Sequence, residues 1–136
     1  MTGTMADHGI QLEGVTVRFG AQSVVDDMTL SVPRGEVHVL LGASGAGKTT
    51  ILRAVAGFVR IASGQIALDG NVVDDAGRRP VPPERRRVGI VFQNYALFPH
   101  ISVAKNVAYG MASPSRAAVS GILERVGLAG DRKSVV

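Results

Sequence analysis

Gly42-Ala43-Ser44-Gly45-Ala46-Gly47-Lys48-Thr49 stands between the apolar run Val37-His38-Val39-Leu40-Leu41 and a segment whose apolar residues fall at Ile51, Leu52, Val55, Ala56 and Val59. The run before the glycines suits a parallel strand buried on both faces. The spacing after them predicts an amphipathic helix starting at Lys48. Glycines at this spacing let the backbone curl until successive N–H groups converge, and the helix adds the positive end of its dipole to the same hollow. A lysine and a hydroxyl residue at its mouth complete a phosphate cradle: Lys48 reaches the β- and γ-phosphates and the Thr49 hydroxyl can ligate Mg²⁺. The pattern arises by chance on the order of once in a few hundred chains of this length. Binding of a nucleoside triphosphate, ATP, together with Mg²⁺ is the expectation.

Working outward, residues 1–9 read as a disordered lead-in. Val15, Val17 and Phe19 alternate in a strand that Gly20 ends, and Met28, Leu30 and Val32 share one face of a second strand. Gln65 to Leu68 alternates again and meets Asp69-Gly70, a hairpin signal, with Val72 and Val73 returning. Residues 74–87 hold Pro80, Pro82, Pro83 and five arginines and read as a solvated loop. Val88-Gly89-Ile90-Val91-Phe92 is a second fully apolar strand candidate, handing over to Gln93. Helical patterns follow at 102–111 and roughly 115–126. Phe19, at a strand end ahead of the loop, can stack on a base or simply serve as a core or edge aromatic. Gln93 can ligate Mg²⁺ or orient a water if the two apolar strands end in one crevice, or it can be an ordinary strand-end polar residue.

Composition fits a globular α/β chain. Of 136 residues 46% are hydrophobic and only 4% aromatic, with no Trp, so the interior rests on Val, Ile, Leu and Ala. A formal charge of +4 suits a polyanionic ligand and is too small to point to nucleic acid. The arginine pairs and triplet in 74–87 lack interleaved aromatics, which argues for a solvated face over a nucleic-acid or lipid patch. Cysteine is absent, so thiolate chemistry is excluded. His8, His38 and His100 show no metal-ligand spacing, and His38, inside an apolar run, is expected as a satisfied interior residue. No apolar stretch approaches the ~18 residues of a membrane span.

Val15-Thr16-Val17-Arg18-Phe19-Gly20, the phosphate loop with Thr50 to Phe58, Ser63-Gly64-Gln65-Ile66, Asp69-Gly70, and Pro82-Pro83-Glu84-Arg85-Arg86-Arg87-Val88-Gly89 running through Val91-Phe92-Gln93 to Pro99-His100 together resemble ATP-binding subunits of ABC transporters. The resemblance covers roughly residues 10–130 and is to the importer group for ferric iron, polyamines, sulfate, maltose and similar solutes, with Gln93 to Pro99 most like the iron and polyamine importers. It implies an α/β fold, a P-loop NTPase of the ABC ATPase type, with an antiparallel β subdomain, an incomplete parallel core sheet holding 37–41 and 88–92, and the start of a helical subdomain. Residues 10–136 would then be the N-terminal half of an ABC-type nucleotide-binding domain. Phe19 matches the aromatic that stacks on adenine, Gly42 to Thr49 the Walker A motif (Gly42, Ser44, Gly45, Ala46, Gly47, Lys48 and Thr49), Thr50 a further phosphate contact, and Gln93 the Q-loop glutamine that touches Mg²⁺ or the attacking water. Lys48 and Gln93 are the catalytic candidates; Thr49 and Gln93 are the metal candidates. The implied partners are the transmembrane permease subunits of an importer, whose coupling helix would dock near residues 95–110, and a second ATP-binding subunit in a head-to-tail dimer. Nucleic acid is not among them. The implied location is the cytoplasmic face of the membrane, held through the permease. The family's Leu-Ser-Gly-Gly-Gln signature, Walker B carboxylates and switch histidine do not occur in these residues, so poor hydrolysis by this chain alone is expected. A non-functional or binding-only remnant of such a subunit is the alternative. A different P-loop enzyme, such as a small nucleotide kinase, would need a lid and a second-substrate site that the sequence does not display.

Overall fold

The alternating segments on either side of the phosphate loop pair with one another. In the computed structural model, which describes residues 8–134, β1 (His8–Phe19), β2 (Gln22–Pro33), β3 (Ser63–Leu68) and β4 (Asn71–Asp75) form one antiparallel sheet in the order β2-β1-β3-β4. β1 begins inside the expected lead-in, with His8 opposite Pro33; residues 1–7 of that lead-in lie outside the described residues. Asp69 and Gly70 join β3 to β4 with φ of 49° and 77°. Two successive left-handed residues make the tight hairpin turn that an Asp-Gly pair favours. In β1 a bulge at Gly14 (φ 57°) shifts the register between Leu12 and Val15. The extra residue keeps Leu12, Val15 and Val17 facing the core, and all three are fully buried.

The chain divides after Ile90 into two compact units. In the first, the helix α1 (Lys48–Ala56) packs Ile51, Ala54 and Val55 onto Leu12, Val15, Val17 and Ile66 of the sheet. Its buried residues are Ile51, Ala54, Val55 and the small Ala56; Leu52, expected on that face, is 54% exposed. The spacing i, i+3, i+4 defines one face, and a residue one position from Ile51 is rotated about 100° away from it. α1 stops at Gly57 (φ 90°), whose N–H donates to the Ala54 carbonyl at 3.1 Å while that of Phe58 donates to Arg53 at 2.8 Å. These two bonds close the glycine-terminated end that most readily satisfies a helix's last carbonyls.

In the second unit α2 (Val103–Ala108) and α3 (Arg116–Arg125) occupy the expected helical stretches, each started by a serine. The Ser102 and Ser115 hydroxyls accept from the N–H groups of Lys105 and Ala118. The Asn106 amide gathers the preceding turn, accepting from the Phe98 N–H at 2.9 Å and donating to the carbonyls of Phe98, Ile101 and Ser102. Val119 and Leu123 of α3 supply the buried apolar residues of this unit's helices.

Three local expectations are corrected. Residues 37–41 and 88–92 run without a strand ladder, and Val37, Leu41 and Val91 are 91%, 88% and 93% exposed. A strand is defined by hydrogen-bonded neighbours, and among the described residues neither stretch has one; the unit boundary falls inside the second, after Ile90. His38 is accordingly at the surface, its Nε2 2.8 Å from Glu36 Oε2. The arginine-rich loop is not uniformly solvated. Arg86 follows the short 3₁₀ turn Pro83–Arg85, and its side chain is only 1% exposed. Its guanidinium donates to the carbonyls of Val81 (2.7 Å), Ala54 (2.8 Å) and Val55 (3.1 Å) and pairs with Asp74 at 3.3 Å. Five donors in a planar fork can serve these three carbonyls and the carboxylate at once, more partners than the three donors of a lysine can reach.

Removing one member of a buried ion pair strands the other. Arg86→Ala should lower the unfolding free energy by about 3–5 kcal/mol, whereas Arg78→Ala, at a side chain 85% exposed, should change it by less than about 0.5 kcal/mol. Urea denaturation followed by circular dichroism checks both values.

Candidate nucleotide-binding site

The phosphate loop lies between the exposed stretch 37–41 and α1, and its shape is set by glycines. Gly45 and Gly47 have φ of 83° and 84°, the left-handed region that side chains rarely adopt. Gly47 needs its bareness for a second reason. A Cβ there would sit 2.8 Å from the Val24 carbonyl oxygen and 2.9 Å from Val25 Cγ2, so the loop presses directly against β2. The Ala46 N–H donates to Ala43 at 3.2 Å, closing the turn, and the Ile51 N–H donates to Gly47 at 2.9 Å, opening the helix.

α1 begins at Lys48 with no side-chain cap and no acidic residue in its first turn. Its leading N–H groups are thus presented by a helix end at which no carboxylate competes with an incoming anion. The Lys48 ammonium folds back onto the loop, donating to the carbonyls of Gly42 (2.7 Å) and Ala43 (2.6 Å). A phosphate entering the loop would exchange those two neutral acceptors for charged ones, which make shorter and stronger bonds. Gly42, Ser44, Gly45, Ala46 and Thr49 are exposed, Lys48 and Thr50 half-buried, and Gly47 buried. Beneath the loop Val25, Met28, Leu40, Leu41 and Ile51 line an open apolar hollow.

Phe19 closes β1 opposite Gln22 and is 55% exposed. Gln22 precedes Val24 by two residues, about 7 Å of strand, and it is Val24 that abuts Gly47. The β1–β2 hairpin end carrying Phe19 and the loop are therefore brought together by the same stretch of β2. Gln93 belongs to the second unit, where it heads the exposed turn 93–96. Tyr95 and Ala96 in that turn have φ of 61° and 48°, and the Tyr95 N–H donates to Phe92 at 3.0 Å.

A family profile described as ABC transporter matches residues 25–136. The chain belongs to the ABC transporter family. Among similar proteins, the Fe(3+) ions import ATP-binding protein FbpC of Streptomyces coelicolor is 47% identical over 133 residues, 93% of this chain and 37% of that protein. The spermidine/putrescine import ATP-binding protein PotA of Nitrosospira multiformis is 46% identical over 125 residues, 88% of this chain and 33% of its own length. The Escherichia coli FbpC is 47% identical over 102 residues, 75% of this chain and 28% of that protein. The chain thus spans about a third of the length of these relatives. A solved structure titled as a bacterial Atm1-family ABC exporter with ATP bound superimposes with a TM-score of 0.81 at 25% identity, covering 98% of this chain and 24% of that one. Family and fold agree with what the phosphate loop and the flanking motifs imply.

Sequence reading did not single out Arg86, Asp74 or Gly57. The other four arginines in 78–87 look the same on paper, and only the fold distinguishes the buried one.

The two glycines of the loop should respond differently to alanine. Gly45→Ala meets nothing within 4 Å and bears only its left-handed backbone, a cost of about 1–2 kcal/mol. Gly47→Ala adds a collision with the β2 backbone and should cost clearly more, about 3 kcal/mol or above. Denaturation midpoints of the two variants test that order.

Proposed function

We propose that this chain is the ATP-binding part of an ABC importer subunit, the N-terminal half of its nucleotide-binding domain, and that it holds Mg-ATP in the loop Gly42 to Thr49. The observation that carries this reading is the loop itself: left-handed Gly45 and Gly47, an uncapped α1 and Lys48 parked on the loop's own carbonyls. The similarity to import ATP-binding proteins for iron and polyamines supports it.

In this reading backbone N–H groups of the loop and of the first turn of α1 hold the phosphates, Lys48 reaches the β- and γ-oxygens, and Thr50 adds a further contact. Phe19 stacks on the adenine with its exposed face. The donor set suits Mg²⁺. Among the described residues no group of three or more His, Cys, Asp or Glu is arranged to hold a metal, and Mg²⁺ characteristically takes few protein ligands alongside phosphate oxygens and waters. Thr49 would help hold it, and it would supply charge neutralisation on the phosphates. Lys48 stabilises charge on the transferring group; in its own unit, Gln93 is the residue proposed to orient a water. These residues contain the loop, the lysine and the glutamine, and the activity proposed for them is binding of Mg-ATP with little turnover.

The partners proposed are permease subunits, with residues 95–110 as the docking region, and a second ATP-binding subunit. No helix among the described residues is long and apolar enough to cross a membrane; the location proposed is the cytoplasmic face of the membrane, held through the permease.

Isothermal titration of the full chain with Mg-ATP should give saturable binding that Lys48→Ala weakens by at least about a hundredfold, the loss of a charge-assisted contact to phosphate. Equal affinity in the variant would sink the proposal. Phosphate release by the wild-type chain should stay near the no-protein baseline in the same samples.

A further inference from the structure

α1 is held at both ends by groups that occupy the place of a missing side chain. At its start the β2 backbone fills the space where a Gly47 Cβ would lie. At its end Arg86 does the same for Gly57: a Cβ there would meet the guanidinium at 2.7 Å from Nε and 2.9 Å from Cζ. The helix between them is nine residues long, about 13 Å of rigid rod. The buried guanidinium takes the Ala54 and Val55 carbonyls of the last turn, and through Val81 and Asp74 it ties that turn to β4 and the proline-rich segment. Asp74 lends only one oxygen; its Oδ1 is buried and has no hydrogen-bond partner among the described residues. An ion pair with an orphaned acceptor is a poor way to gain net stability, since desolvation offsets most of its attraction. What it does fix is direction. A guanidinium fork with four partners on three segments leaves the end of α1 one orientation, and a helix fixed at its end has its leading N–H groups aimed at its start.

We infer that Arg86, together with Gly57, is a positioning residue for the phosphate loop, setting how tightly the start of α1 grips Mg-ATP. The inference rests on the nucleotide reading above. It couples two places through one rigid element, and coupling of that kind is reciprocal: whatever the Arg86 cluster does for nucleotide affinity, bound nucleotide must do for the order of that cluster.

Two measurements on the full chain test it. In the wild type, saturating Mg-ATP should slow hydrogen exchange at the amides of Gly57 and Phe58, which cap α1, more than at β1 amides. Arg86→Lys keeps the charge and loses the fork; Gly57→Ala keeps the arginine and displaces it. Each variant that gives a dispersed amide spectrum should bind Mg-ATP on the order of tenfold more weakly than wild type, and the selective slowing at Gly57 and Phe58 should vanish. A purely structural role would lower the melting temperature and leave affinity of the folded protein unchanged, and that result overturns the inference. So does unchanged exchange at Gly57 and Phe58 in a wild type that binds Mg-ATP, a readout that needs no variant to fold. A wild type that binds no Mg-ATP removes the nucleotide reading itself.

Discussion

The contact between Gly47 and β2 is the constraint on which the first unit is built. The Val24 carbonyl occupies the space that any side chain at residue 47 would require, so the loop, the helix behind it and the hairpin beside it are placed by one missing methyl group. Because Val25 is itself part of the apolar core with Ile51 and Val55, the same approach that shapes the loop also seats α1 on the sheet. Binding geometry and folding are here one packing problem. An open loop made only of glycine would be entropically costly to order when a ligand arrives; pressed against a strand, it is ordered beforehand.

The sheet contributes in a less direct way. Gly64 (φ 85°) lies against the backbone of Glu13 and Gly14 in β1, whose carbonyl oxygens stand where its Cβ would be. That close approach brings β3 in register beside the bulge, which keeps Leu12, Val15 and Val17 on the face that α1 covers. Thr16 is buried as well, on the other side of the strand, and uses its hydroxyl to receive the Asp27 N–H at 3.1 Å. Asp27 sits at φ 47°, so a side chain of β1 satisfies a backbone donor that the irregularity in β2 sets free. These departures from regular pairing are matched by a specific hydrogen bond or by the lack of a side chain.

What was legible in the sequence is what depends on neighbours along the chain. The alternation in β1 and β2, the Asp69-Gly70 turn, the start of α1 after Gly47 and the serine-capped helices of the second unit all follow from local periodicity and turn chemistry. The tight glycine loop at 42–49 was legible for the same reason, since its eight residues carry their own backbone geometry. Residues 37–41 and 88–92 show the other case. Their apolar runs state that they are fit to be buried on both faces, but burial of that kind is supplied by flanking strands, and no pattern within five residues can state whether those strands are at hand. In 37–41 the result is an apolar segment with Val37, Val39 and Leu41 toward solvent and Leu40 alone packed against the core.

Arg86 marks the same boundary from the polar side. Composition assigns an arginine in a proline-rich loop to solvent, and that is right for Arg78, Arg79, Arg85 and Arg87. The exception arises because α1 ends on a glycine, leaving at one spot both a vacant volume and carbonyls with acceptor capacity to spare. A guanidinium fills such a place better than any other side chain: it is flat enough to slide over Gly57 and carries enough donors for Ala54, Val55 and Val81 together. The Pro82-Pro83 pair then explains why residue 86 and not its neighbours is inserted. Proline fixes φ at the entrance of the 3₁₀ turn, the turn spans Pro83–Arg85 with the Arg86 N–H bonded back to Pro83 at 3.1 Å, and the next side chain is delivered inward. Arg87, at φ 54°, turns the chain away again. Two glycines thus bound the helix, and the groups that fill their empty sides come from opposite ends of the sheet, β2 at the phosphate end and the segment after β4 at the other.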